Sequence, residues 1–212
     1  YLGAFATGNH LVKLNNYFDE YPELENIVDR IVPIARDAYM SYPYGSDNYY
    51  GLPVEGDTQI MYVRKDLLRD PEEREAFKEQ YGRELPQEYE DFVDMTWTEF
   101  EDILEFFTRP EENLWGLASE YSKGYDFLFF ATNSFIWMNG GDTIDWDTYE
   151  VDGVINSEKT REAIKYYFGL RKYQPPGAEN YGLSSVLTPM QQGKVFADIT
   201  WAASGPAFFD PE

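Results

Sequence analysis

The chain has 212 residues, 39 acidic against 17 basic, one histidine and no cysteine, for a net charge of −22. That length suits one or two domains, and 43% hydrophobic with 18% aromatic content builds a core and excludes a disordered chain. Without Cys there are no disulfides, thiolate chemistry or Cys-based zinc sites, and His10 alone leaves almost no room for His triads or multi-His metal centres.

In chain order, Tyr1-Leu-Gly-Ala-Phe5 has neither a basic n-region nor a start Met, and reads as a chain entered part-way. Residues 9–40 alternate short apolar and polar clusters, and Ile31–Tyr39 fits a short helix. Ser41–Gly51, rich in Gly, Pro and Tyr, has the signature of a loop. Gln59–Val63 predicts a strand, β-branched and aromatic. From Asp66 to Glu112 there are 17 acidic and 5 basic residues, about half of the excess negative charge. Inside that stretch Thr96-Trp-Thr-Glu99 is a capping box, and Trp97, Phe100, Ile103, Leu104 and Phe107 recur at helical spacing over 97–107.

Trp115–Ala118 predicts a short strand, and Tyr125–Met138 a helix buried on several sides, with a polar Thr-Asn-Ser at the centre of its apolar run. Asn139-Gly-Gly-Asp142 stops that helix. Asp147–Ile155 reads as a turn and strand, and Asn156-Ser157 caps a second amphipathic helix with Ala163, Ile164, Tyr167 and Leu170 on one face. Pro175-Pro-Gly177 ends it. Thr188–Gly193 suggests one helical turn, Lys194–Trp201 a strand and Ala202–Pro206 a turn. Helices alternate with short strands, so the class is α/β.

The acidity disfavours nucleic acid and anionic surfaces as partners, since phosphate affinity comes from clustered Lys and Arg. Its plain reading is a solvated, self-repelling surface. The twelve-residue apolar stretch Phe127–Met138 falls short of the ~18–20 residues that span a bilayer. Asp142, Asp145 and Asp147, with Glu150 and Asp152, are the densest carboxylate group outside the acidic stretch. They fit a solvated hairpin or a calcium loop, though without EF-hand spacing. Rings beside turn residues could stack on the apolar faces of a sugar. With 39 carboxylates a glycoside-processing pair stands as an alternative, because spacing in sequence does not give the separation such a mechanism needs.

Five segments in order carry a resemblance. Gly51-Leu-Pro-Val-Glu-Gly-Asp-Thr-Gln-Ile-Met-Tyr-Val-Arg-Lys-Asp-Leu-Leu68 resembles the first interdomain crossing strand of extracellular solute-binding proteins of sugar ABC importers. Thr96-Trp-Thr-Glu-Phe100 is similar to the start of their second domain's first helix, and Asn139-Gly-Gly-Asp142 to their Gly-Gly hairpin. Val154-Ile-Asn-Ser-Glu158 resembles the helix start that follows, and Gln192-Gly-Lys-Val-Phe-Ala-Asp-Ile-Thr-Trp201 the strand that returns to domain one. Phe196 and Asp198 depart from that pattern, which has small residues or Met there.

The resemblance implies a two-lobed, type II periplasmic-binding-protein-like α/β fold. Residues 1–65 would be part of lobe 1 with the crossing strand, 66–198 a nearly complete lobe 2, and 199–212 the return. Members are about twice this length, so the chain is expected to be a central piece of one. It implies capture of a neutral sugar or oligosaccharide outside the cell, without chemistry or cofactor. Delivery would be to a membrane permease by a monomeric protein held at the membrane by that permease or by a lipid anchor elsewhere. The ligand-binding residues implied are Asp57, Tyr121, Tyr125, Asp126 and Trp201. Each main candidate has a structural alternative: Asp57 as a turn former, Tyr125 as core, Trp201 as a wedge between lobes.

Overall fold

The computed structural model describes residues 2–125 and 127–209. The chain divides into two units, Tyr1–Asp57 and Thr58–Glu212. The first contains helices α1 (Leu2–Thr7), α2 (Pro22–Arg30) and α3 (Pro33–Tyr39). Pro22 and Pro33 each occupy a first-turn position, where a missing N–H costs nothing. A small core of Val28, Met40 and Tyr49, flanked by Leu14, Phe18 and Ile31, holds this unit. Asn15 ties down the Tyr-rich loop: its Nδ2 donates to the Asp47 carbonyl at 2.9 Å and its Oδ1 accepts from Tyr49 N at 2.9 Å.

The second unit runs β1 (Gln59–Val63), α4 (Lys65–Arg69), α5 (Pro71–Tyr81), α6 (Glu90–Val93), α7 (Trp97–Phe106), β2 (Trp115–Ser119), α8 (Phe127–Met138), α9 (Glu158–Gly169), α10 (Leu183–Gln191), β3 (Val195–Trp201) and α11 (Pro206–Phe209). The sheet order is β1-β3-β2, with β1 antiparallel and β2 parallel to β3. A parallel pair needs a long crossover, here supplied by α8, α9 and α10. The main core gathers Leu68, Phe77, Phe100, Ile103, Leu104, Phe107, Leu117, Phe135, Tyr167, Leu170 and Phe196 around this sheet.

The Thr96 box is formed as the sequence predicts. Thr96 Oγ1 accepts from Glu99 N at 3.3 Å, and the Glu99 carboxylate accepts from Thr96 N at 2.8 Å. Those bonds hold the Glu99 carboxyl below its usual range, the Thr96 hydroxyl contributing most. Replacing Thr96 with Ala is expected to lower stability by about 1 kcal/mol in urea titration, with unchanged m.

The acidic stretch is laced by ion pairs. Arg69 meets Glu88, Arg74 and Lys78 meet Glu84, Arg83 meets Asp102, and Arg109 meets Glu73. The exposed pairs contribute little. Arg109–Glu73 is half-buried and bidentate at 2.8 and 2.5 Å, with its guanidinium 4.7 Å from the Phe106 ring.

Several expectations need correction. Asp147–Ile155 forms turns and no strand: the Asp145 carboxylate accepts from Asp147 N and Thr148 N, both at 2.9 Å, and no second strand among the described residues pairs with the segment. The predicted turn at Thr188–Gly193 is the end of the longer α10, which starts at Leu183. Helix α8 begins at Phe127 and is buried on one side only, leaving Phe129, Phe130, Trp137 and Met138 exposed. It ends as expected, with Gly140 at φ +69° and Gly141 N donating to the Ile136 carbonyl at 2.9 Å. Helix α5 went unread within the acidic run, although Asp70 caps it by accepting from Glu72 N and Glu73 N ahead of Pro71.

Candidate functional site

Strand β3 ends at Trp201, whose antiparallel partner is Gln59, the first residue of β1. Helix α8 lies against both strand ends. The Phe130 ring stands edge-on to Trp201 at 5.2 Å and 78°, and Ser134 Oγ donates to Gln59 Oε1 at 2.8 Å. The Gln59 Nε2 has no hydrogen-bond partner among the described residues. Phe129 meets Phe130 edge-to-face at 5.7 Å. The result is a patch of partly exposed rings with polar atoms among them, suited to apolar C–H faces and hydroxyls together.

Strand β2 leads through Glu120 into Tyr121–Tyr125, just before α8. Tyr125 is 89% exposed and has φ +53°, a left-handed backbone that an aromatic residue adopts at a cost. Its ring lies 5.7 Å from that of Phe127. On another face of α8, a hollow of about 430 Å³ is lined by Tyr125, Phe129, Ile136, Ile155, Ile164 and Phe168. Thr132 and Asn133 also line it, and their side-chain oxygens lack hydrogen-bond partners among the described residues.

The five residues singled out from sequence fall in different settings. Trp201 belongs to the patch, and Tyr125 is an exposed ring near the start of the same helix. Tyr121 is a core residue: 4% exposed, its ring stacks on Tyr167 at 4.6 Å and 9°, and its hydroxyl donates to the Tyr167 carbonyl at 2.6 Å. Burial pushes that phenol well up from its ordinary value. Asp57 is exposed and is the last residue of the first unit. Asp126 lies outside the described residues.

The carboxylates weighed for calcium serve turns. Asp142 accepts from Thr143 N at 2.7 Å and from the indole N–H groups of Trp137 and Trp146 at 3.2 and 3.0 Å. Backbone donors above all hold Asp142 and Asp145 below the usual carboxylate range. Asp147 contributes its backbone N–H to the Asp145 turn. Among the described residues no three His, Cys, Asp or Glu side chains are grouped to hold a metal ion. Nor is any helix among them long and apolar enough to cross a membrane.

The family model described as bacterial extracellular solute-binding protein matches residues 1–211. The chain belongs to that family. Within it, the chain is 23% identical over 180 residues to a mannitol-binding protein of Pseudomonas aeruginosa, covering 84% of this chain and 36% of that protein. The fold is similar to that of an ABC-transporter solute-binding protein of Agrobacterium radiobacter in complex with ribitol, at TM-score 0.71 and 22% identity, over 99% of this chain and 46% of that one. Maltose-bound MalE3 of T. maritima matches at TM-score 0.70 and 20% identity, over 95% and 44% of the two chains. A solute-binding protein of Agrobacterium vitis with bound D-mannitol matches at 0.61 and 19%, over 99% and 44%. The fold is therefore the type II periplasmic-binding-protein fold, and the chain spans less than half the length of these relatives.

Gln59, Phe130 and Ser134 escaped the sequence reading. Gln59 was read only as the first residue of a strand, and Phe130 and Ser134 as part of a buried helix. The signal available was the Thr-Asn-Ser interruption in the apolar run, since polar groups within such a helix need partners.

Proposed function

We propose that this chain is part of a protein that captures a neutral sugar or polyol outside the cell and hands it to an ABC-importer permease, with no turnover of the solute. The single observation carrying the reading is the Trp201–Phe130 ring pair beside the amide of Gln59 and the hydroxyl of Ser134. Membership of an extracellular solute-binding family, and relatives named for mannitol, ribitol and maltose, support it. In this reading residues 1–65 contribute to one lobe, 66–198 form the other, and 199–212 return toward the first. Closure of the lobes on the solute presents the monomeric protein to its permease. Trp201 and Tyr125 supply stacking faces, Asp57 and Asp126 accept solute hydroxyls, and Tyr121 braces the segment from within the core.

A thermal-shift screen against ribitol, mannitol, maltose and larger oligosaccharides tests the reading. A solute at about 100 times its Kd stabilises by about 2.7 kcal/mol. Trp201→Ala is expected to weaken binding of the hit by roughly 1–3 kcal/mol, through lost stacking and apolar burial. The melting temperature of the unliganded variant should stay within a few degrees of wild type. Unchanged affinity together with a large loss of unliganded stability would make Trp201 a packing residue. Product release from chromogenic glycosides would replace capture with hydrolysis.

A further inference from the structure

The Thr-Asn-Ser that interrupts the apolar run of α8 meets two fates. Ser134 is satisfied, with its hydroxyl 2.8 Å from Gln59 Oε1 and 3.2 Å from the Phe130 carbonyl. Thr132 and Asn133 are only 9% and 4% exposed, yet the Thr132 hydroxyl and the Asn133 side-chain carbonyl have no hydrogen-bond partner among the described residues. Buried polar groups are nearly always paired, so two adjacent exceptions on one helix call for a reason. As plain core positions they would be served better by Val and Leu of similar shape.

Both residues line the hollow beside α8, whose volume of about 430 Å³ falls within the ~300–1,000 Å³ range of small-molecule sites. At about 3.6 residues per turn, Phe129, Thr132, Asn133 and Ile136 share a face of α8 that points away from the Phe130–Ser134 face at Trp201. From α9, Ile164 and Phe168 complete the lining one turn apart, together with Ile155. These walls are fixed to one another. Fully buried Thr160 of α9 holds its hydroxyl 3.0 and 3.2 Å from the carbonyls of Asp142 and Val154, which anchors both ends of the intervening segment on the helix. Phe129, Ile155 and Phe168 stay 54%, 44% and 40% exposed, so the hollow is open to solvent.

The lining selects a chemistry. Its walls take an apolar body, and the rings of Phe129 and Phe168 favour an aromatic one. A Thr hydroxyl both donates and accepts, and an Asn amide does either as it turns about χ2, so a hydroxyl on the ligand answers both. A polyol would strand most of its hydroxyls against these walls. Among the described residues that line the hollow Lys123 alone is charged, on a chain of net charge −22, which favours a neutral ligand over an anion. We propose that this hollow is a second small-molecule site, separate from the solute site, that takes a compact neutral aromatic alcohol with its ring among Phe129, Ile164 and Phe168 and its hydroxyl on Thr132 and Asn133. The proposal does not rest on the solute reading above.

Titration of the full-length protein with 2-phenylethanol and with ethylbenzene, which lacks the hydroxyl, tests this by calorimetry and ligand-observed NMR. Thr132→Val and Asn133→Leu should each weaken 2-phenylethanol about five- to tenfold and leave ethylbenzene within about twofold of wild type. Both variants should have urea midpoints at or above that of wild type, because each removes an unpaired buried polar group. Thr132→Val, which keeps the side-chain volume, decides the matter if Asn133→Leu narrows the hollow. Trp201→Ala should bind 2-phenylethanol as wild type does.

No binding of either probe would overturn the site. Equal weakening of both probes with lowered urea midpoints would make Thr132 and Asn133 packing residues. Tighter binding of phenylacetate than of 2-phenylethanol would make the hollow an anion site at Lys123 and overturn the neutral ligand. Loss of 2-phenylethanol binding in Trp201→Ala, or its displacement by ribitol, mannitol or maltose, would put the probe in the solute site. Self-association that 2-phenylethanol reverses would make the hollow an interface between copies. Failure of all three sugars to bind would sink the solute reading, while the two aromatic probes still decide this one.

Discussion

Gly116→Ala is expected to destabilise the second unit by about 3 kcal/mol or more, at the top of the range for overpacking. Gly116 lies in β2, buried against the last turns of α7. A Cβ there would fall 2.2 Å from the carbonyl oxygen of Leu104 and 2.8 Å from its carbonyl carbon and Cα. Those are helix backbone atoms, so no side-chain rotation relieves the clash. The contact is also stitched in place: Thr108 Oγ1 donates to that same Leu104 carbonyl at 2.6 Å and accepts from Gly116 N at 3.1 Å. A methyl group would lift α7 from the sheet and part Ile103, Leu104 and Phe107 from Leu117 and Phe196. Urea titration should show a lower midpoint, with the Tm falling on the order of 10 °C. Wild-type stability in this variant would show that α7 does not meet β2 at Gly116.

Phe196→Ala should cost about 3–5 kcal/mol, the usual range for truncating a buried aromatic ring. Phe196 is 0% exposed, stacks on Phe107 at 4.5 Å and 18°, and lies 6.4 Å from the Phe100 ring. Its loss leaves a cavity between the sheet and α7 that backbone on both sides keeps from collapsing. Phe196→Leu, which keeps most of the volume, should lose under about 1.5 kcal/mol. Equal losses in the two variants would point to strain rather than to a cavity. The departure from the family pattern at this position thus has a structural role, as a large ring filling the space beneath α7.

Local signals were read well wherever a segment's own chemistry decides its state. The Thr96 box and the apolar stripe of 97–107 place α7, because both ends of each contact lie within one turn of helix. Strands at 59–63 and 195–201 follow from β-branched and aromatic runs between turn residues, and the short apolar segment at 115–119 forms a third. Ser157 caps α9, its Oγ accepting from Thr160 N at 3.3 Å. The order of these segments was enough to place the chain among solute-binding proteins, since motif order along a chain is itself a property of sequence.

What depends on distant partners was not legible. Asp147–Ile155 read as a turn and strand, but a strand needs a second one to satisfy its backbone, and turns formed instead, closed by the Asp145 carboxylate and by the Val151 carbonyl, which accepts from Val154 N and Ile155 N. Tyr121 read as a loop ring until Tyr167, 46 residues away, accepted its hydroxyl and stacked on its face. Asp198 and Glu120 are fully buried acids among 39 in the sequence; Asp198 stands out there only as a departure from the family pattern, and nothing in the chain marks Glu120. Sequence by itself determined α7 and α9 with their caps, the three strands and the family, because each rests on neighbours in the chain or on their order. Only the tertiary structure decided that Gln59, Phe130, Ser134 and Trp201 meet, and that two carboxyls share a dry interior. Those outcomes depend on the β1-β3-β2 order and on how the helices close over the sheet, and burial is a property of the whole fold.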